Sequence, residues 1–307
     1  MKLQIIYTGI DHPNHIKALN LFAEGIERTG DRIIPTTDFL PTEDSPDAYV
    51  IFGSWKDRDQ PHHNAKRAVV KSGKPFVVIE TPIFGRKPVK DHISDDCFRV
   101  GVNGFLNNRG AFLPRDFQCD GNRLGMMSER LGVDIKPMRK RNANAPIVLA
   151  LQLPGDASLE GTNINEWFKG WVDDLDMISL DKICRFPQLP REYDRTILDY
   201  ASDHGWRFQQ GDYRNLQSTF DEARFTISYS SGFGTDSLIA GCPAVVDSDA
   251  SFAFDLAHRG MKNIHDVYMP QDIYRDQWLM RLAYHQWFMD DFEDGSCWKH
   301  IRKILDE

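Results

Sequence analysis

Two α/β domains in tandem, each a parallel sheet covered by helices, are what this sequence predicts. Three observations carry that expectation. Short apolar, β-rich runs alternate with stretches of helical period along the whole chain. The alternation breaks at the basic, aperiodic segment Lys136–Pro146 and restarts at Ile147. The length, 307 residues with 41% hydrophobic side chains, suits two cores of ordinary size. The expected domains are 1–145 and 146–307, the second carrying the C-terminal helices.

The first strand is Leu3–Tyr7 (LQIIY). A helix follows over Asn14–Arg28, where Ile16, Leu19, Phe22, Ala23 and Ile26 recur at helical spacing. Ala48–Gly53 is the second strand, Asn64–Lys71 a helix, and Phe76–Glu80 a third strand stopped by Thr81-Pro82. Val89–Gln118, rich in Gly, Asn and Asp, receives no assignment. Asn122–Leu131 reads as a helix.

In the second half Ile147–Gln152 is a strand, Ile164–Asp174 a helix and Lys182–Phe186 a strand. Tyr193–His204 (helix), Trp206–Gln209 and Phe225–Ser230 (strands) continue the alternation. A helix then begins near Thr235, and Pro243–Asp247 is a strand. Gln271–Glu307 reads as mostly helical, and its aromatics Trp278, Tyr284, Trp287 and Phe288 as core packing. No internal repeat of 20–50 residues is visible.

Composition excludes several classes. With 27% charged and 11% aromatic residues the chain is not disordered. No apolar run approaches the roughly 18–20 residues of a membrane helix, and the N-terminus lacks a signal-peptide pattern. Five scattered cysteines, Cys97, Cys119, Cys184, Cys242 and Cys297, share no CxxC spacing and fit reduced thiols. A cytoplasmic protein without a membrane partner is expected. Net charge is −8 overall, but residues 1–145 hold 22 basic and 18 acidic side chains against 15 and 27 in 146–307. Within 86–141 there are 12 basic and 7 acidic residues, ending in Arg139-Lys140-Arg141. The split suggests different partners for the two halves, or simply solvated surfaces.

Open parallel sheets bind ligands beyond the carboxyl ends of their strands. The sharpest such segment is 225–246, FTISYSSGFGTDSLIAGCPAVV. A strand ends at Ser230-Ser231, passes Gly232 and Gly234, and enters a helix near Thr235 and Asp236. Two glycines allow a close backbone approach, and hydroxyls with helix N–H groups suit a phosphate. Tight strand–helix packing is the alternative explanation of the same glycines. Neither a G-x-G-x-x-G nor a Gly-Lys-Ser/Thr loop is present.

Tyr229-Ser230-Ser231-Gly232-Phe233-Gly234-Thr235-Asp236, with the following Leu238-Ile239-Ala240-Gly241-Cys242-Pro243, resembles the donor-site signature of GT-B glycosyltransferases. It is most similar to capsule-type sugar transferases and the DNA (hydroxymethylpyrimidine) glycosyltransferases of tailed phages. Gln152-Leu153-Pro154-Gly155-Asp156-Ala157-Ser158 is similar to their loop after the first strand of the second domain. Arg185-Phe186-Pro187 stands where they often carry Arg-Pro-His-Pro, here without the His. Asp236 stands where Glu is commoner. Gln286-Trp287-Phe288, Asp290-Asp291 and Gly295-Ser296-Cys297-Trp298 resemble their closing helices. The likeness covers about 146–305.

The resemblance implies two Rossmann-like domains whose parallel sheets face a central cleft, the C-terminal helices packing back. It implies a nucleotide-sugar as co-substrate, no further cofactor and no metal. Donor-binding residues would be Gln152, Gly155, Asp156, Arg185, Ser230, Ser231, Gly232, Gly234, Thr235 and Asp236. Arg185 and the Ser230–Thr235 turn would stabilise the leaving nucleotide by positive charge and oriented N–H groups.

If the reaction inverts, a first-domain group must deprotonate the acceptor hydroxyl. Asp11, Asp57, Asp59, His12, His62, His63 and Glu80 all fall at strand ends. Asp11 is favoured as base and Glu80 is second. Capping of the first helix by Asp11, and an ion pair of Glu80 with Arg86 or Lys87, explain the same residues without catalysis. His62-His63 with Asp57 and Asp59 is a weaker metal-ligand pattern. Asp174-Leu175-Asp176 lacks the strand a metal-binding D-x-D needs, and Ser231 stands in no G-x-S-x-G elbow.

The acceptor expected is the hydroxymethyl group of a modified cytosine in double-stranded phage DNA. His12, Arg86, Lys87, Arg139, Lys140 and Arg141 would contact it, because phosphate contacts dominate DNA affinity. Phe84, Phe105 or Phe112 would act as the wedge that base extrusion needs. The alternative acceptor is a saccharide or lipid-linked sugar of a surface polysaccharide. A non-catalytic nucleotide-sugar- or polysaccharide-binding protein, and an epimerase- or hydrolase-like relative, complete the set.

Overall fold

The computed structural model describes residues 1–34, 45–56, 58–85, 96–140, 143–178, 180–186, 193–211 and 216–307. Two compact units emerge, Met1–Leu131 with Leu279–Glu307, and Gly132–Trp278.

The first unit opens with β1 (Lys2–Ile5), α1 (Pro13–Arg28), β2 (Arg32–Ile34), β3 (Ala48–Phe52), α2 (Pro61–Lys71) and β4 (Phe76–Glu80). Their order in the sheet is β2–β1–β3–β4, all parallel. Every residue of β3 is buried, the unbroken apolar run of a strand covered on both faces. From β1 the chain steps to one side with β2 and to the other with β3 and β4, so the β1/β3 pair is the switch point of this sheet.

The stretch left unassigned from sequence holds β5 (Cys97–Leu106), antiparallel to β4, and the short β6 (Arg109–Ala111) paired with it. Glycines hide this hairpin from sequence patterns. A Cβ on Gly104 would lie 1.8 Å from the Arg109 carbonyl oxygen, so no side chain fits there. α3 (Gly121–Leu131) follows and buries Leu124, Met127 and Leu131.

The second unit contains β7 (Ile147–Ala150), α4 (Ile164–Asp174), β8 (Lys182–Phe186), α5 (Arg195–Asp203) and β9 (Trp206–Gln210). It continues through α6 (Leu216–Glu222), β10 (Phe225–Ser228), α7 (Gly232–Ile239), β11 (Ala244–Val246) and the start of α8 (Asp272–Ala283). Only α6 was unforeseen. All five strands are parallel in the order β11–β10–β7–β8–β9. From β7 the chain winds outward through β8 and β9, then returns to the other side with β10 and β11. The switch point is thus between β7 and β10.

Residues 132–140, expected within the first domain, belong to the second unit. Lys136 N–H donates to the Ile239 carbonyl at 3.0 Å, and Gly241 packs so closely that a Cβ would lie 2.2 Å from the Pro137 oxygen. Arg139 and Lys140 are therefore not a first-domain surface. Arg139 pairs with Asp221, which also accepts from Lys136 at 3.3 Å. Arg86, Lys87 and Arg141, as well as Asp57, lie outside the described residues.

The C-terminal segment also corrects the expected division. β12 (Gln286–Phe288) extends the first sheet antiparallel to β5, and α9 (Met289–Glu293) and α10 (Ser296–Leu305) pack on α1. Gln286, fully buried, accepts N–H bonds from Ile83 and Phe84 at 2.9 and 3.3 Å. Trp287, Phe292, Trp298 and Ile301 share one core with Leu19, Phe22 and Ile26. The tail aromatics are core, as expected, but the core of the first unit. With the tail included that unit holds 22 Lys+Arg and 23 Asp+Glu, so its apparent basicity vanishes.

Asp31 ties this segment in electrostatically. Burial opposes its ionisation, yet the N-terminal ammonium, the Trp298 indole N–H and Arg302 outweigh that and lower its pKa. A depressed carboxylate contributes stability above its unfolded pKa and loses it as pH falls through the folded one. Urea titrations should therefore show the first unit weakening with acid below about pH 4, the ordinary carboxylate range. Asp31→Asn should flatten that acid limb, and an unchanged slope would remove Asp31 from the account.

All five cysteines are free, and four of them are buried. Among the described residues no helix is long and apolar enough to cross a membrane.

Candidate functional site

At the carboxyl edge of the first sheet, the loop after β1 packs on the start of α2. Gly9 has φ +69°, and a Cβ there would lie 2.6 Å from His62 Cβ, so the approach needs glycine. Asp11 is exposed on this loop. It is not the cap of α1: the N-cap is His12, which makes no side-chain capping bond, and Pro13 opens the helix. Asp11 acts electrostatically on His62, while burial and Lys66 push the His62 pKa down. His63, in the next position, is depressed to about 4, chiefly by burial and then by His62 and Lys66. His12 and His15 have ring centres 4.7 Å apart, and His15 stacks on Phe52 at 4.1 Å.

Glu80, ending β4, is held rather than free. Its Oε2 accepts the Ser54 N–H at 2.7 Å and its Oε1 the Thr81 N–H at 2.8 Å. Lys66, buried on the inner face of α2, donates to the Ser54 carbonyl at 3.1 Å. Burial lowers the Lys66 pKa and the Glu80 carboxylate works against that. Glu80 and Lys66 thus clamp the loop after β3 from two sides. Sequence reading passed over Lys66, although its spacing from His62 and Val69 on one helix face was visible.

In the second unit the switch-point loops are joined by one side chain. Gln152, 8% exposed after β7, accepts the Ser230 N–H at 2.8 Å through Oε1. Its Nε2 donates to Ser158 Oγ at 2.8 Å and Ser230 Oγ at 3.1 Å. Ser230 Oγ in turn donates to the Ser158 carbonyl at 2.7 Å. Asp156 Oδ1 accepts from both the N–H and the hydroxyl of Ser158, capping the 3-10 turn Ala157–Leu159. Gly155, with φ +72° and open space around it, makes the turn possible.

Ser231, not Thr235, caps α7: its Oγ accepts the Phe233 N–H at 3.2 Å. The N–H end of an eight-residue helix therefore opens beside the Gln152 network. Gly234 serves packing, since a Cβ would lie 3.1 Å from Ser228 Oγ and 3.6 Å from Ala253 Cβ. Thr235, 1% exposed, turns its hydroxyl inward, where among the described residues it finds no partner. Asp236, one position further along α7, is partly exposed. Arg185, 4% exposed on β8, donates to Thr219 Oγ1 at 2.9 Å and lies 5.7 Å from the Phe233 ring centre. It supports the first turn of α7 from below.

One feature of this edge escaped sequence reading. Trp167 and Trp171, four apart on α4, both donate indole N–H bonds to Asp247 Oδ2 at 2.7 and 2.8 Å. Asp247, following β11, is so fixed at the carboxyl edge, and its other oxygen is buried without a partner among the described residues. The i, i+4 tryptophan pair was the available signal.

The expected wedge residues are not surface groups: Phe84, Phe105 and Phe112 are 1, 6 and 5% exposed. Phe112 stacks on His285, and Phe105 meets Trp55 edge-on, within the first unit.

No protein-family model and no curated protein matches this sequence. Solved structures do match its fold. A β Kdo 2,4 transferase, KpsC of Thermosulfurimonas dismutans, aligns with TM-score 0.60 over 99% of this chain and 97% of that one, at 11% identity. A β Kdo 2,7 transferase, also KpsC from Thermosulfurimonas dismutans, aligns with TM-score 0.56 over 96% and 99%, at 13% identity. Together with two units of parallel-rich α/β architecture, these likenesses define the class of fold: that of the GT-B glycosyltransferases. The resemblance to capsule-type sugar transferases agrees with them.

Proposed function

We propose that this protein is a glycosyltransferase that moves a sugar from a nucleotide-sugar to a hydroxyl of a saccharide acceptor in surface polysaccharide synthesis. The observation that carries the reading is the Gln152–Ser230–Ser158 clamp, which sets the capped N-terminus of α7 at the switch point of a five-stranded parallel sheet. Unpaired N–H groups at such an end attract the phosphates of a donor and the charge that develops as the glycosidic bond breaks. Ser231, Gly232 and Asp236 would face the donor directly. Gln152, Asp156, Arg185 and Gly234 would shape the site from behind. The KpsC transferases of similar fold support the sugar-transfer reading.

For the acceptor, Asp11 is the proposed base. It is exposed at the carboxyl end of β1, whereas both Glu80 oxygens are taken by backbone donors. DNA as acceptor draws no support: Arg139 is paired, the first unit is near neutral, and the aromatic wedges are core.

The test is mass spectrometry of products from a panel of nucleotide-sugars with oligosaccharide acceptors, hydroxymethylcytosine DNA alongside. A sugar mass added to an oligosaccharide is expected; addition only to DNA would reverse the acceptor assignment. Asp11→Asn should lower transfer by about 10²-fold or more, the usual worth of a general base. It should leave nucleotide binding unchanged. Glu80→Gln should instead lower stability together with activity. Full transfer by Asp11→Asn would eliminate it as base.

A further inference from the structure

The first unit carries a second candidate site, at the β12 edge of its sheet. A groove of about 490 Å³ opens over β12, between the start of α3 and α10. None of its lining residues comes from the loops after β1, β3 or β4, where Asp11 and Glu80 lie.

Arg123, from α3, builds the groove rather than waiting for a ligand. Its guanidinium lies 3.9 Å from the Trp287 ring centre and 5.3 Å from that of Tyr284. It donates to the Ala283 and Gln286 carbonyls at 2.7 and 2.8 Å and pairs with Asp291 at 3.2 Å. The unanswered charge sits on α10. Lys299 and Lys303, both exposed and four residues apart, share one face of that helix and form no ion pair with any described residue. Like charges at this spacing repel, so the pair is unfavourable until an anion lies between them. His300, bonded to the Phe112 carbonyl at 2.8 Å, has its pKa pushed down to about 4, chiefly by burial, and supplies no countercharge.

The opposite rim is polar and carries the other sign. Asp120 caps α3 through the Asn122 N–H at 2.9 Å, and the Asn122 side chain is exposed beside it. A carboxylate here works against a dense polyanion such as nucleic acid. It accepts hydroxyl donors well. Cations on one rim, a carboxylate and an amide on the other, and Tyr284 between them suit a ligand with both anionic groups and hydroxyls.

We propose that this groove binds an acidic saccharide, with a carboxylate or phosphate ester between Lys299 and Lys303 and ring hydroxyls against Asp120 and Asn122. The proposal rests on the saccharide-acceptor reading and places a remote part of the acceptor chain here.

The experiment measures binding of tetragalacturonate, a phosphorylated oligosaccharide and neutral maltotetraose to the full chain, with inorganic phosphate as competitor. Lys299→Glu/Lys303→Glu is run beside the wild type, and nucleotide-sugar turnover is measured for both. Neither lysine is placed in the transfer machinery, so turnover of donor alone should be equal. At least one acidic saccharide is expected to bind at least 10-fold more tightly than maltotetraose and to lose that margin in the double variant. Equal binding of acidic and neutral chains, no binding of either, or an unaffected double variant would overturn the proposal. So would full displacement by inorganic phosphate at equal concentration, which marks a site for a point anion. Wild-type protein that binds the acidic chain and turns over no nucleotide-sugar would sink the transferase reading and leave the groove standing.

Discussion

Gln152→Ala is expected to abolish donor binding more completely than any other single change in the second unit. One side chain joins the loops after β7 and β10, and its removal leaves the buried Ser230 N–H without its acceptor and takes a donor from each of two serine hydroxyls, which keep their own bonds to Asp156 and the Ser158 carbonyl. Leaving a buried donor unsatisfied costs about 1–3 kcal/mol, and here the loss falls on the Ser230 N–H together with the tie between the two loops. The Ser230-Ser231 turn then has no fixed relation to Ser158, and the α7 N-terminus is no longer held on the donor. Nucleotide-sugar affinity should fall by 10²-fold or more, read by calorimetry. Gln152→Glu is the sharper variant: it keeps the length, but its carboxylate cannot donate to Ser158 and Ser230. Binding at wild-type strength in both variants would show that the turn holds itself.

Trp298→Ala should have the largest effect on stability. Trp298 is fully buried, stands edge-on to Phe22 at 6.0 Å and donates to Asp31 Oδ2 at 2.9 Å. Truncating a buried tryptophan costs about 3–5 kcal/mol. The exchange also leaves Asp31 short of a donor. Because α10 shares a core with α1, the loss should fall on the first unit alone. Calorimetry should resolve two transitions, with only one displaced by the substitution. Deletion of 279–307 should remove that transition, since β12 and both closing helices go with it. A uniform shift of both transitions would mean that the C-terminal segment stabilises the chain as a whole.

The sites were unevenly legible. Ser230, Ser231 and Gln152 could be found because strand ends followed by small, hydroxylated residues are visible in one dimension. Their roles were not. That Ser231 rather than Thr235 caps the helix, and that Gly234 serves packing, depend on where α7 meets Ser228 and Ala253. Glu80 read as a base or as the partner of Arg86 or Lys87, because its actual donors are backbone groups and no sequence pattern announces those. Lys66, and the tie that fixes Asp247 to two tryptophans, were missed because the partners lie 14 and some 76–80 positions away.

What the sequence determined by itself is the class: alternating β-rich runs and helical periods, twice over, place the five strands of the second sheet and β1, β3 and β4 of the first. Periodicity is local, and burial on one helix face or both strand faces leaves its mark within a few residues. What only the tertiary structure decided is membership. Residues 132–140 join the second unit and Leu279–Glu307 the first. β12 enters its sheet through pairing with β5, nearly two hundred positions earlier in the chain. Pairing between distant strands is set by the three-dimensional complementarity of whole faces, which no window along the chain contains. The same return of the tail cancels the first unit's apparent basicity, so even the choice of acceptor turned on a long-range contact.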